Sequence, residues 1–241
     1  MKNRLIGNTI WIVLLLGLTP VWARAGGGGN SGGGGIIYLI LLPFLIAYSA
    51  YIRHRLKKKS EECRGLLTKL QDRETGWELS DIENIARSVF MKIQQAWTSG
   101  DQNALNELSK GPAADKLRDE LAELKGKQHR NCMDNLSIKE IDLLNIQNFL
   151  DDEQDTFTVS ITAEARDYTV DASGKIVSVN TSKKGTFKTP EAVPLESFTE
   201  FWTFEREGDT WVLFKLAQYH EWKGVVNRPL VDEGTDAESA Y

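Results

Sequence analysis

Side chains able to do acid–base or nucleophilic chemistry are sparse in this chain of 241 residues. Its three histidines fall in separate settings: His54 in a basic cluster, His129 in an expected loop and His220 at an expected strand end. A general base is made by geometry rather than by residue type, and each of these is expected to face solvent rather than to catalyse. Asp167 and Tyr168 stand side by side near a strand end, where a structural hydrogen bond is the expected use. Cys63 and Cys132 are the only cysteines, so they build no disulfide framework and fit a reducing compartment. No metal-ligand spacing, phosphate-cradling loop or nucleophile elbow occurs. No catalytic residue, cofactor or metal is therefore expected, and the chain reads as a binding protein rather than an enzyme.

Two other groups could bind rather than react. The run RHRLKKK places Arg53, Arg55, Lys57, Lys58 and Lys59 where they could contact anionic lipid, each charge near such a surface contributing about 1 kcal/mol. Its simpler role is to set membrane topology. Trp202, Phe204, Trp211 and Phe214 could line a pocket for an acyl chain or an extended peptide. The simpler role for these four is cross-strand packing, since aromatic pairs stabilise hairpins.

The charge distribution divides the chain. All 34 acidic residues follow Ser60, whereas eight of the 29 basic ones precede it, so the body carries a net charge of about −13 behind a basic, apolar front. An acidic body is unsuited to nucleic acid, where lysine and arginine must meet phosphate. In the front, residues 1–25 have a charged start, the apolar run IWIVLLLGL and small residues before Ala25, the layout of a signal peptide or of an uncleaved first membrane helix. Residues 26–35 are a glycine-rich linker expected to behave as flexible coil. Residues 36–52 form an uncharged stretch of 17, near the lower limit for a membrane-spanning helix, with tyrosines at its flanks and Pro43 inside it. The basic cluster directly after it places the remainder on the cytoplasmic side, whether or not the first segment is cut.

The elements beyond are read from periodicity. Residues 53–76 are expected to be a basic juxtamembrane helix and linker, the helix either continuing the span or lying on the bilayer surface. SDIE at residues 80–83 predicts a capping box opening a helix with Ile82, Ile85, Val89, Ile93 and Trp97 on one stripe. Asp101 is an expected cap for a short helix, and Leu117, Leu121 and Leu124 mark another. From Leu136 the period becomes alternating. Residues 136–149 slip twice, predicting bulges, and residues 157–165 alternate cleanly. DASG at 171–174 is a turn, and Gly208–Asp209 joins two aromatic-rich strands. After Pro229 the acidic tail, within residues 229–241, is expected to be disordered. Helices first and antiparallel strands second define an α+β domain over residues 77–228. Its curled sheet, wrapped over helices, leaves a cone-like cavity of the kind that binds ligands.

The closing hairpin FTEFWTFEREGDTWVLFKLAQ, residues 198–218, resembles that of the Tim-44-like domain family. FMKIQQAWTSGD at 90–101 with Leu105 is similar to that family's helix–turn–helix entry, and DYTV at 167–170 also fits. A glycine-rich segment ahead of one span is similar to bacterial members. The family is named for a peripheral subunit of the mitochondrial inner-membrane translocase, which tethers a chaperone to the import channel. This chain departs from that subunit by carrying its own span and lacking the chaperone-binding region. The resemblance implies a nuclear-transport-factor-2-like cone at the cytoplasmic face of a bacterial inner membrane. It also implies a non-catalytic adaptor role linked to protein translocation or membrane-complex assembly. Membrane lipids and another membrane or translocation-associated protein are the expected partners, with no nucleic acid. A lipid- or peptide-binding cone is the alternative function. An isomerase- or dehydratase-like enzyme is a further one, since related folds use the same cone.

Overall fold

The structure is a computed structural model that describes residues 34–74, 76–183 and 185–234, with backbone alone for residues 34–40. The signal-like segment, most of the glycine-rich segment and the last residues of the acidic tail lie outside the described residues. Four helices come first: α1 (Gly34–Gln71), α2 (Leu79–Ser99), α3 (Gln102–Leu108) and α4 (Gly111–Gly126). Strands β1 (Arg130–Asn148), β2 (Thr156–Val170), β3 (Ile176–Val179), β4 (Glu196–Glu207) and β5 (Thr210–Gln218) follow, then a short helix α5 (Trp222–Val226) and a two-residue strand β6 (Val231–Asp232). The sheet order is β5-β4-β2-β1-β6, with β3 also on β2; every pairing is antiparallel except that of β6. The domain is thus α+β, helices against a curled sheet.

The bulges expected in the long strand are present. The β1–β2 register shifts between Asp134 and Ser137, between Ile138 and Glu140, and between Leu143 and Asn145. At the first shift Asn135 adopts φ 55°, a left-handed conformation that asparagine tolerates. Extra residues on one strand bend it and increase its twist. The sheet therefore curls away from a flat layer and leaves room between its inner face and the helices.

Helix boundaries follow local chemistry, with one correction. Asp101 caps α3, accepting from the amides of Asn103 at 3.0 Å and Ala104 at 3.1 Å, and Gly100 closes α2 at φ 72°. The expected capping box at Ser80 is not formed: α2 begins at Leu79, and its N-cap is Glu78 without a side-chain bond. The start is set instead by Trp77, which is 1% exposed and packs edge-on against Trp211 at 5.6 Å. Anchoring that indole fixes the path of the chain into the helix and leaves Ser80 inside the first turn.

Two expectations about the ends of the domain change. Of the two expected courses for the helix in residues 53–76, α1 takes the continuous one, running unbroken through Pro43 to Gln71, and its second half enters the domain expected to begin only at residue 77. Cys63, Leu67 and Leu70 belong to the principal core with Ile82, Phe90, Leu143 and Phe157. Ile52 joins a second cluster with Leu144, Phe201, Ala217, Trp222 and Val226. Burying each leucine contributes roughly 2 kcal/mol, so this half of α1 is part of the domain. Burial also pushes the Cys63 thiol up to about 12, which leaves it a packing group.

The chain after Pro229 is also ordered as far as residue 234. Asn145, fully buried, donates to the carbonyls of Arg228 at 3.2 Å and Pro229 at 3.0 Å. Asp232 accepts from Arg73 at 2.7 Å, and β6 adds to the edge of β1 at Gln147 and Asn148. Composition alone suggested disorder here; these partners supply the stabilisation that composition does not show.

Candidate functional site

Between the inner face of the sheet and helices α2 and α4 lies a cavity of about 570 Å³. That is within the range of roughly 300–1,000 Å³ typical of small-molecule sites. Ile93 and Trp97 from α2, Leu117 and Leu124 from α4, and Phe198, Trp202, Leu213 and Leu216 from the hairpin make its apolar wall. Its polar groups come from the strands, from α4, from Gln94 on α2 and from Lys127 and His129 just after α4, and they are mainly carboxyls and amides.

The placement of these groups follows from strand phase. On β2, Ile161, Ala163, Ala165 and Asp167 share one face. On β4, Phe198, Glu200 and Trp202 are likewise in phase. On α4, Glu120 stands within the stripe of Leu117, Leu121 and Leu124. The topology brings these three acids to one cavity, together with Glu123, which is paired with Lys127.

Asp167 accepts from Asn131 Nδ2 at 2.7 Å and from Asn180 Nδ2 at 2.9 Å. Glu200 accepts from the indole Nε1 of Trp202 at 3.1 Å and from Gln218 Nε2 at 2.9 Å. Glu120 Oε2 and Asn131 Oδ1 are buried with no hydrogen-bond partner. Among the described residues, no lysine or arginine forms a salt bridge with Glu120, Asp167 or Glu200. Burial disfavours the charged form and raises all three pKa values, that of Glu120 to about 7. For Asp167 and Glu200, hydrogen bonds to the carboxylate oppose that rise; the nearby Lys116 opposes it for Glu120 and adds to the opposition for Glu200.

The sequence-derived candidates separate on this geometry. Of the four hairpin aromatics only Trp202 lines the cavity. Phe204 is fully buried and stacks on Phe157 at 4.8 Å, and Trp211 packs edge-on against Phe157, also at 4.8 Å. Phe214 covers Gly111, where an added Cβ would meet the ring at 2.6 Å. Those three are packing residues. Asp167 and Tyr168 do not pair, because adjacent strand residues face opposite ways; the Tyr168 hydroxyl donates to Asp134 at 2.7 Å. Of the histidines, His129 reaches the cavity lining, and no hydrogen bond joins it to an acid there.

The basic cluster also divides. Lys59 is 6% exposed and donates to the carbonyl of Arg228 at 2.8 Å, so it faces the domain. Arg55 bridges to Asn227 at 3.1 Å and to the Tyr51 hydroxyl at 2.8 Å. Arg53 and Lys57 are exposed, and exposed Lys58 approaches Glu62 one turn on at 3.9 Å. Glu120, Asn131, Asn180, Glu200 and Gln218 are absent from the sequence-derived candidates. The in-phase acids among core positions on β4 and α4 are the signal that marks two of them.

A domain of helices on a curled antiparallel sheet with a cavity between the layers is the class this geometry defines. The chain belongs to the Tim44-like domain family, whose profile matches residues 64–223. The match begins inside α1, in agreement with the packing of that helix into the core. Among solved structures, the chain is similar to the intermembrane space region of the chloroplast protein ARC6, at 12% identity over 55% of this chain and 92% of that one, TM-score 0.37. It is also similar to Aln2 from a Streptomyces species, at 12% identity over 57% of this chain and 90% of that one, TM-score 0.31. No curated protein sequence matches it.

Proposed function

We propose that the chain is a membrane-anchored, non-catalytic binding domain at the cytoplasmic face of a bacterial inner membrane. It serves as an adaptor in protein translocation or membrane-complex assembly. The observation that carries this reading is the form of α1. At about 1.5 Å per residue its 38 residues extend roughly 57 Å, and the two ends of the helix differ in character. Leu41, Phe44, Leu45, Ile46, Tyr48 and Tyr51 are all at least 46% exposed, and among the described residues they account for six of the ten large hydrophobic residues that stand exposed. The other end is buried in the domain core. Apolar side chains grouped on one exposed segment mark a contact with lipid or protein, and the cationic segment after it fits the cytoplasmic boundary. Among the described residues no helix is long and apolar enough to cross a membrane. The side chains of residues 36–40, which the sequence adds to the apolar stretch, are outside them.

An anchor continuous with the domain holds the cavity at a fixed distance from the bilayer, as an adaptor requires. Alkaline carbonate extraction of cell membranes tests the anchoring. The full chain is expected to stay in the membrane pellet, and replacement of Leu41, Leu45 and Ile46 by lysine is expected to release it. Complete release of the unsubstituted chain by carbonate contradicts the anchor.

A further inference from the structure

We propose that the cavity binds an organic cation, an alkylammonium or guanidinium group carried on an apolar stem. The inference rests on the reading of this cavity as a ligand site and adds the chemical class of the ligand.

Asp167 and Glu200 each receive two neutral donors, from amides or an indole, and neither receives a cation. Glu120 receives no donor at Oε2. Three partly buried carboxyls thus line one cavity with no salt-bridge partner of their own, an arrangement that is unfavourable by itself. Two lysines stand nearby: Lys127, in the lining, is paired with Glu123, and Lys116, outside it, acts on Glu120 and Glu200 without forming an ion pair with either. A second observation concerns an amide oxygen rather than an acid. Asn131 is 5% exposed and lines the cavity, yet its Oδ1 has no partner. Buried acceptors are nearly always satisfied, and a ligand bearing N–H donors would satisfy this one together with Glu120. A carboxylate or phosphate ligand would add repulsion and satisfy neither.

The walls set the remainder of the ligand. Trp97 and Trp202 present aromatic surface within the same space, and a cation beside an indole face gains further attraction. Leu117, Leu124, Leu213 and Leu216 fit an aliphatic stem. A lysine or arginine side chain of a bound peptide and a free alkylamine share this chemistry.

Binding is also expected to tighten as pH rises, because the cation needs the ionised acids. The groups that face Glu120 are Lys116, Asp119 and Glu123 on its own helix and Glu200 from β4, with Lys127, His129 and Asp167 elsewhere in the lining. With its pKa near 7, Glu120 ionises across the neutral range, and the affinity should rise most steeply between about pH 6 and 8.

The test uses the full chain in uncharged maltoside micelles, with tryptophan fluorescence and calorimetry as readouts. The probes are hexylammonium, 1-hexanol, hexanoate and capped tripeptides with a central lysine or central glutamate. Saturable binding of hexylammonium and of the lysine peptide is expected, at least tenfold tighter than hexanol, with no binding of hexanoate or the glutamate peptide. Glu200→Gln and Glu120→Gln should each weaken hexylammonium at least tenfold. Thermal melting confirms that each variant is folded, and Glu120→Gln breaks no hydrogen bond should Glu200→Gln unfold. Preference for the lysine peptide over hexylammonium would assign the site to a protein partner, and the reverse to a free amine; either supports the cation site. Equal affinity for hexanol, binding of hexanoate, no binding of any probe, or unchanged affinity in folded variants would overturn it. Carbonate extraction reads the membrane anchor separately, so either reading can fail without the other.

Discussion

Replacing Phe157 by alanine is expected to remove about 4 kcal/mol of folding stability, enough to unfold a marginal domain at physiological temperature. Phe157 has no exposed surface and sits at the start of β2, in the middle of the sheet. Its ring stacks on Phe204 at 4.8 Å and an interplanar angle of 22°, and meets Trp211 edge-on at 4.8 Å. Trp211 in turn holds Trp77, the residue that sets the start of α2. Loss of the ring would therefore leave a cavity lined by parts of three strands and a helix entry that cannot collapse together. Phe157→Leu keeps most of the volume and should cost about half as much. Urea denaturation of both variants checks the prediction. A loss below about 1 kcal/mol for Phe157→Ala would show that the aromatic cluster is not the core of the hairpin.

The second large effect has the opposite sign. Glu120→Gln is expected to raise stability at pH 8 by on the order of 2 kcal/mol, a figure reduced for the partial exposure of this side chain. The folded chain raises the Glu120 pKa from 4.5 to about 7 by burial, so between those values the folded state holds more protons than the unfolded state. Stability therefore falls as pH rises through this window and is regained on acidification. Asp155 adds to the same trend at lower pH, its pKa raised by burial from 3.8 to about 6 although the Phe149 amide and Arg206 oppose the rise. Asp167 and Glu200 shift in the same direction. The unsubstituted chain should thus be more stable near pH 5 than near pH 8, and Glu120→Gln should flatten that slope while changing little at pH 5. Thermal melts across pH 5–8 measure both. A chain most stable at pH 8, or a glutamine variant less stable there than its parent, contradicts this account of the cavity.

Acids that weaken the empty fold make sense where a ligand repays the loss. Residues at binding sites commonly hold interactions that the unliganded structure would be more stable without. The cation proposed for the cavity would supply the missing charge to the same groups that destabilise the protein at alkaline pH. Stability and recognition here depend on the same three carboxyls.

Much of the architecture was legible in the sequence because short-range chemistry specified it. The alternation of β2, the Asp101 cap, the turn at Gly174 and the hairpin around Gly208 each rest on a local rule that tertiary packing left intact. The failures arose where distant partners intervened. Ser80 was displaced from its expected cap by the burial of Trp77 against the hairpin, more than a hundred residues away in sequence. The chain after Pro229 read as a polar tail because its partners, Asn145 and Arg73, lie far upstream. The basic cluster read as uniform, yet α1 turns Lys59 inward and leaves Lys57 outside, as helical periodicity requires once one face is packed. The cavity acids were the hardest to see. Asp167 stands out in the sequence through Tyr168, the neighbour it does not bond, while Glu200 and Glu120 lie among aromatics and leucines. An acid in phase with a core stripe marks such a cavity, and it requires the phase of strand and helix to be read together.

The central claim is that α1 joins a cytoplasmic cavity to the membrane, and the side on which the domain lies tests it most directly. A reporter joined after Tyr241 gives that side in intact cells. A fluorescent protein that matures only in the cytoplasm should be bright, and an alkaline phosphatase that folds only after export should be inactive. Active phosphatase with a dark fluorescent fusion would place the domain outside the cytoplasm and contradict the account.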